Sequence, residues 1–201
     1  VFKVVEKLMV NLFKKFSNKK IINEKFPRIT FNESMLKYGT DKPDLRNPLL
    51  IHEITEIFLR EDVKFDIFKN LVKSGSKVRC IVTKKTKDKP RSFFDNIDKW
   101  AKEQGSSGLA YFTIEKDKAI TGKGPVGKFF SEDSIKEIMK VCNAEVGDSI
   151  FLSCGKLQDI LKLLSVARNK IASELQLVNE NHYAFCWIVD YPMYELDEQT
   201  K

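Results

Sequence analysis

The chain has 201 residues, 42% of them hydrophobic and 31% charged, with a formal net charge of +7. That ordinary globular composition excludes a collagen, a coiled coil and a disordered tail. A basic balance fits a polyanionic partner such as nucleic acid, although Lys-rich faces also serve only to solvate a surface. No run of 18 apolar residues exists, so no membrane-spanning helix is expected. The opening VFKVVEKLMVNLFKKF is interrupted by charges and lacks a small-residue cleavage site, unlike a secretory leader.

In chain order, Val1, Val5, Leu8, Leu12 and Phe16 form a stripe at helical spacing, broadened by Val4, Met9 and Phe13. This predicts an amphipathic helix that must bury its apolar face. It starts without a cap residue or an initiator Met, as expected of a piece of a longer protein. Residues 17–27 read as a polar linker. Thr30 followed by Glu33 is a capping box, and Gly39 is a natural stop, which predicts a short helix over 31–38. The stretch 40–48, with two prolines and alternating charges, reads as an irregular loop of the kind that carries function.

Strands are expected at 63–68 and 78–82, then a helix capped by Ser92 and running to about Gln104. Further strands are expected at 109–114 and 147–154. Between them lie a Gly-rich loop at 122–127 and a helix opened by Ser131 and running to about Cys142. This mixture of strands and helices with short connections implies an α+β layer sandwich. A long helix at 157–175 follows. The apolar run 184–190 then reads as a strand buried on both faces, ended by Pro192.

Candidate chemistry is sparse. Cys80, Cys142, Cys154 and Cys186 are scattered through apolar runs without a CxxC pair, and His52 and His182 are the only histidines. No metal site is expected from that spacing, and the cysteines read as small core residues. Gly122, Gly127 and Lys128 approach the phosphate-loop pattern GxxxxGK[ST]. However, Phe129 stands where a hydroxyl should hold Mg²⁺, and Pro125 removes a cradling N–H, so a turn leading into a helix is the better reading. His52-Glu53 lacks the second His of a zinc protease helix, and His52 is read as a surface residue near a helix start.

The segment Phe26-Pro-Arg-Ile-Thr-Phe31, followed by Tyr38-Gly-Thr-Asp-Lys-Pro-Asp-Leu-Arg-Asn-Pro48, resembles a signature of bacterial-type aspartyl-tRNA synthetases. Gly108-Leu-Ala-Tyr111, Gly124-Pro-Val-Gly-Lys-Phe-Phe130, Gly147-Asp-Ser-Ile-Phe151 and Trp187-Ile-Val-Asp-Tyr-Pro-Met-Tyr-Glu195 continue it in family order. The resemblance implies a class II synthetase in which a GAD domain is inserted between the second and third class motifs. Residues 1–48 would belong to the catalytic domain. Residues 49–164 would be the GAD insertion, a two-layer α/β sandwich, with its connections. Residues 165–201 would return to the catalytic domain as helices and a strand. The same blocks argue against the alternative, a non-catalytic GAD module of a tRNA-dependent amidotransferase. That module has no use for Tyr38–Pro48 or Trp187–Glu195.

The resemblance further implies a parent enzyme of the cytoplasm, a homodimer that joins aspartate to tRNA using ATP and Mg²⁺. The family's ATP-binding and catalytic residues have no counterparts in this sequence, so no catalytic residue, cofactor or metal ligand is assigned to it. The chain alone is expected to be inactive, monomeric and unattached to membranes. Asp41, Lys42, Asp44 and Arg46 are candidates to border the parent's active site, with a salt-bridged domain junction as the simpler account. Arg168 matches an Arg of the family's helix after the insert, where it would reach substrate or tRNA, or form a helix-surface ion pair. Lys84, Lys85, Lys87, Lys89 and Arg91 are the candidate tRNA-contact strip, a loop dense in phosphate-binding charge, with a merely solvated hairpin tip as an equal alternative.

Overall fold

A computed structural model of the chain describes residues 1–106 and 108–194; Glu195, which closes the last synthetase-like block, lies outside them. Helix α1 (Phe2–Phe16) forms as its spacing predicts. Its packed side differs from the expected stripe. Phe2 meets Trp187 edge-on at 4.8 Å, and Phe13 meets Tyr183 and Phe185 at 4.7 and 4.8 Å. Val10 is buried, whereas Val1, Val4, Leu8, Leu12 and Phe16 face outward. The aromatic residues of the chain's far end select the face that is covered.

The expected linker contains a short strand, β1 (Lys20–Ile21), and β2 (Arg28–Thr30) follows it. Helix α2 (Phe31–Tyr38) begins as the capping box requires: Thr30 Oγ1 accepts from the Glu33 N–H at 3.1 Å. It ends with Gly39 in the left-handed region at φ 72°. Strand β3 (Ile51–Glu53) and a 3₁₀ turn at Thr55–Leu59 come next. His52 therefore sits half-buried in a strand rather than on the surface near a helix start.

No strand forms at 63–68. That region leads into helix α3 (Asp66–Lys73). Phe65, Phe68 and Val72 recur at helical spacing and pack on one cluster, while Ile67, which gave the run its strand-like look, is exposed. Strand β4 (Lys77–Thr83) leads to helix α4 (Arg91–Glu103). This helix starts after Pro90, whose fixed φ of −62° serves the N-cap position, and Ser92 does not cap it. Strands β5 (Ala110–Lys116) and β6 (Ile120–Lys123) form a hairpin. Helix α5 (Glu132–Cys142) is capped by Ser131, which accepts from Ser134 N–H at 3.0 Å. Strand β7 (Ser149–Gly155) and helix α6 (Leu157–Glu174) complete the central body.

The central sheet has the order β3-β4-β7-β5-β6 and is antiparallel throughout. Alternation along each strand sorts the side chains onto two faces. Cys80, Val82, Phe112, Ile150 and Leu152 pack with Phe58 and with Ile135 and Ile138 of α5. Ile81, Tyr111 and Phe151 pack with Phe94 and Ile97 of α4 and with Leu164, Ala167 and Ile171 of α6. The α+β sandwich read from the sequence is present, with helices on both sides of the sheet. Each fully buried Phe or Ile contributes about 1.5–3 kcal/mol, so the two clusters are the main source of stability.

Two parallel ladders lie outside this body. β1 pairs with β8 (His182–Tyr183), and β2 pairs with β9 (Trp187–Val189). β9 is half-buried, not buried on both faces. Among the described residues its one ladder partner is β2, and α1 lies across it, with Trp187 Nε1 donating to Glu6 at 2.8 Å.

Candidate functional site

The signature loop between α2 and β3 is built by backbone capture. Asn47 is buried. Its Nδ2 donates to the Arg168 carbonyl at 3.1 Å, and its Oδ1 accepts from the Leu49 N–H at 3.0 Å. Arg168, 1% exposed, donates back to the carbonyls of Leu49, Asp44 (2.8 Å) and Asn47 (2.9 Å). Its guanidinium lies 4.9 Å from the centre of the Tyr38 ring. Burial pushes the Arg168 pKa down from its usual value, while Tyr38 and Asp44 pull it back up. Arg168 is thus not a helix-surface ion pair: it is buried, and the partners of its guanidinium are backbone carbonyls. A buried cation needs its donors satisfied, and three carbonyls with an aromatic face do this without a carboxylate.

The other charges of the loop pair locally. Arg46 forks onto Asp44 (Nε to Oδ1 at 3.0 Å, Nη2 to Oδ2 at 2.8 Å) and reaches Glu180 at 3.3 Å. The hydrogen bonds from Arg46 hold the Asp44 carboxyl below its ordinary pKa. Lys42 pairs with Asp41 at 2.8 Å. The Tyr191 hydroxyl is 3.5 Å from Asp41, so the loop also touches the segment after β9. All four charged residues of the loop are thus engaged in ion pairs. The structure brings Asp41, Lys42, Asp44, Arg46 and Arg168 together, with Arg168 inside and the other four around the rim.

Helix α6 joins the two parts. Leu161 and Leu164 lie on the sheet cluster together with Ala167 and Ile171, so the helix is continuous through residues 164 and 165. Gly39 abuts it: a Cβ there would lie 2.5 Å from the Leu161 carbonyl oxygen and 2.8 Å from Ser165 Cβ. On the other side, Arg79 is buried between Glu53 and the Leu36 carbonyl of α2 (3.2 Å).

The basic strip lies elsewhere, on the turn from β4 into α4 rather than at a hairpin tip. Its anchor is Asp148, 1% exposed, just before β7. The Asp148 carboxylate accepts from Lys84 Nζ (2.9 Å), from the Lys85 N–H (2.9 Å) and from the Glu145 N–H (2.8 Å). Lys84 also donates to the Asn143 carbonyl. Lys85 adopts φ 53° to follow this path. Arg91 pairs with Asp95 one turn on. Lys85, Lys87 and Lys89 are exposed, without a carboxylate partner among the described residues, and Lys89 overlies Phe93 at 5.9 Å. Three of the five predicted residues therefore present free charge.

Gly122 and Gly127 do not cradle phosphate. A Cβ on Gly127 would collide with the Gly122 backbone, because β6 and the turn Gly127–Phe129 cross there in direct contact. No group of three or more His, Cys, Asp or Glu is placed to hold a metal among the described residues. Asp148 was missed as a site residue because its partners stand 63 and 64 positions away in sequence.

A five-stranded antiparallel sheet with helices on both faces, tied by one long helix to a charged junction and two parallel ladders, defines a domain mounted on a second folded part. Residues 68–164 match the family model of the GAD domain. The whole chain is 70% identical over 200 residues to the Aspartate–tRNA(Asp/Asn) ligase of Pelagibacter ubique, of which it spans 34%. It is 44% identical over 202 residues to the ligase of the same name from Methylocella silvestris (32% of that protein), and 44% identical to that of Wolbachia pipientis (33%). The chain contains a GAD domain and is similar over its whole length to bacterial aspartate–tRNA(Asp/Asn) ligases. It spans about a third of the length of these relatives.

Proposed function

We propose that the chain is the GAD-bearing part of an aspartate–tRNA ligase, which forms an aspartyl adenylate from ATP and passes the aspartate to the 3′ end of tRNA. The observation that carries this is identity running through residues 1–67 and 165–201 as well as through the GAD residues. A GAD module of an amidotransferase would give likeness over the GAD residues alone. In this reading the part described here positions and the remainder of the synthetase catalyses. ATP, Mg²⁺ and aspartate are held by residues outside this sequence. The chain alone is inactive and monomeric, and the parent is a cytoplasmic homodimer. The junction around Asp44, Arg46 and Arg168 braces the GAD domain against the catalytic part.

The free charges of Lys85, Lys87 and Lys89 support a contact with tRNA phosphates, with Lys84 acting as the structural anchor of their turn. The function is tested by replacing the homologous third of the Pelagibacter ubique ligase with this chain and measuring tRNA aspartylation. A folded chimera that charges tRNA supports the reading; one that folds but does not charge sinks it. Aspartate-dependent ATP–pyrophosphate exchange by the chain alone should be absent.

A further inference from the structure

Cys80 and Cys142 stand apart from the other thiols. Cys80 lies in the middle of β4, and Cys142 is the last residue of α5, 62 positions away. Their sulfurs are 3.6 Å apart, both residues are buried, and both thiols are free. Cys154 lies in the same cluster, without a hydrogen-bonded sulfur partner among the described residues. A disulfide requires an S–S distance of about 2.05 Å. The remaining gap can be closed by side-chain rotation and a small shift of the last turn of α5. That turn ends at Asn143 in the left-handed conformation, whereas β4 is fixed by strands on both sides.

His52 is the cross-strand partner of Cys80 in β3, on the same face of the sheet. Side chains so paired have Cβ atoms about 4.5–5.5 Å apart. Burial and the charges of Lys84 and Lys37 keep the His52 pKa below its usual value, so the imidazole is neutral near pH 7.

We propose that Cys80 and Cys142 form an oxidisable dithiol that a peroxide closes into an intramolecular disulfide, stapling β4 to the C-terminal end of α5. One sulfur attacks a peroxide oxygen. The O–O bond breaks, one water leaves, and a sulfenic acid remains. The second sulfur attacks the sulfenic sulfur, the S–O bond breaks, and a second water leaves. The two thiol protons depart in the two waters, and the two electrons given up by the sulfurs reduce the peroxide. His52, opposite Cys80 across the β3–β4 ladder, would take up and return the thiol proton. The Cys80 thiol, hydrogen-bonded to Cys142 and buried, is held protonated. Oxidation therefore proceeds through brief openings of the last turn of α5 and is slow.

The test treats the unaltered chain with hydrogen peroxide, and separately with diamide, over hours. Remaining thiols are then blocked with N-ethylmaleimide and the protein is digested without reduction. The expected result is a mass loss of two hydrogens, a linked peptide pair containing Cys80 and Cys142, and blocked Cys154 and Cys186. Dithiothreitol should reverse the change. The oxidised chain should melt several degrees higher, a shift absent in Cys142→Ala. Blocking of both Cys80 and Cys142 after incubation long enough for full amide exchange in α5, or a link to Cys154 or Cys186, would overturn the proposal. The mass readout uses the native sequence and does not depend on whether any variant folds.

Discussion

Lys84 and Asp148 form an ion pair with only one partner in water: the Nζ–Oδ2 distance is 2.9 Å, with side-chain exposures of 51% and 2%. The carboxylate also holds the N–H groups of Lys85 and Glu145, so it organises the β4–α4 turn and the approach to β7 together. Replacing Asp148 by Ala strands two backbone donors and a cation, a loss of about 2–4 kcal/mol. Lys84→Ala leaves the two backbone bonds intact and should cost less. Urea melts of both variants check the order. Equal losses would mean that the ion pair, not the backbone capture, carries the stability.

If Lys85, Lys87 and Lys89 meet tRNA, changing all three to Ala weakens binding and makes its salt dependence shallower. Three lost phosphate contacts reduce the slope of log K against log[salt] by about 2–3. Stability should be almost unchanged, because none of the three side chains has a carboxylate partner among the described residues. Titrations at several salt concentrations check this, with an unrelated tRNA for comparison. An unchanged slope would leave the turn a solvated surface.

Arg168→Ala removes the donor shared by three loop carbonyls. The expected loss is about 3–5 kcal/mol, together with faster hydrogen exchange over 44–49. Arg168→Lys should recover only part of it, since one ammonium cannot reproduce the planar fork. Full recovery by Lys would show that charge, not geometry, is required.

Two glycines with positive φ should respond differently. Gly39→Ala adds strain at φ 72° to a collision with the Leu161 carbonyl oxygen and should lose more than about 2 kcal/mol. Gly75→Ala, at φ 97° in open space, should lose about 1 kcal/mol. Thermal melts of the pair isolate the contribution of the α2–α6 contact.

His52 gives a stability term with a defined sign. Its folded pKa lies below the unfolded value of about 6.5, so the unfolded chain takes up the proton first. The term is complete above that pH and is lost as pH falls from about 6.5 through the folded pKa. His52→Gln should flatten the decline in that window. It should leave untouched the separate loss below about pH 4, where Asp44 and Asp62, held down by Arg46 and Arg60, become protonated.

The sequence disclosed what is local. Thr30, Glu33 and Gly39 delimit α2 within ten residues, and Ser131 caps the start of α5. The failures have a common cause. The run from Val63 to Phe68 carries both a strand and a helix pattern, and only packing against Phe58 and Phe129 selects the helix. The partners of Arg168 are backbone carbonyls 119 to 124 positions away. A carbonyl has no residue identity to read, so a buried arginine looks like any helix-surface arginine. The signature loop was recognisable, but its role as a clasp for that arginine was not.

The ladder between β2 and β9 has a consequence for biosynthesis. Ile29 pairs with Ile188, so β2 leaves the ribosome long before its partner has been made. At about 5–20 residues per second the wait is roughly ten to thirty seconds. Throughout that time the edge of β2 is open and the aromatic side of α1 lacks Trp187. The intervening sheet can collapse meanwhile, shortening the gap the late strand must cross. A stall or truncation before Trp187 would therefore leave a finished central body carrying a sticky, unzipped root, and quality-control proteases and chaperones would meet that root first.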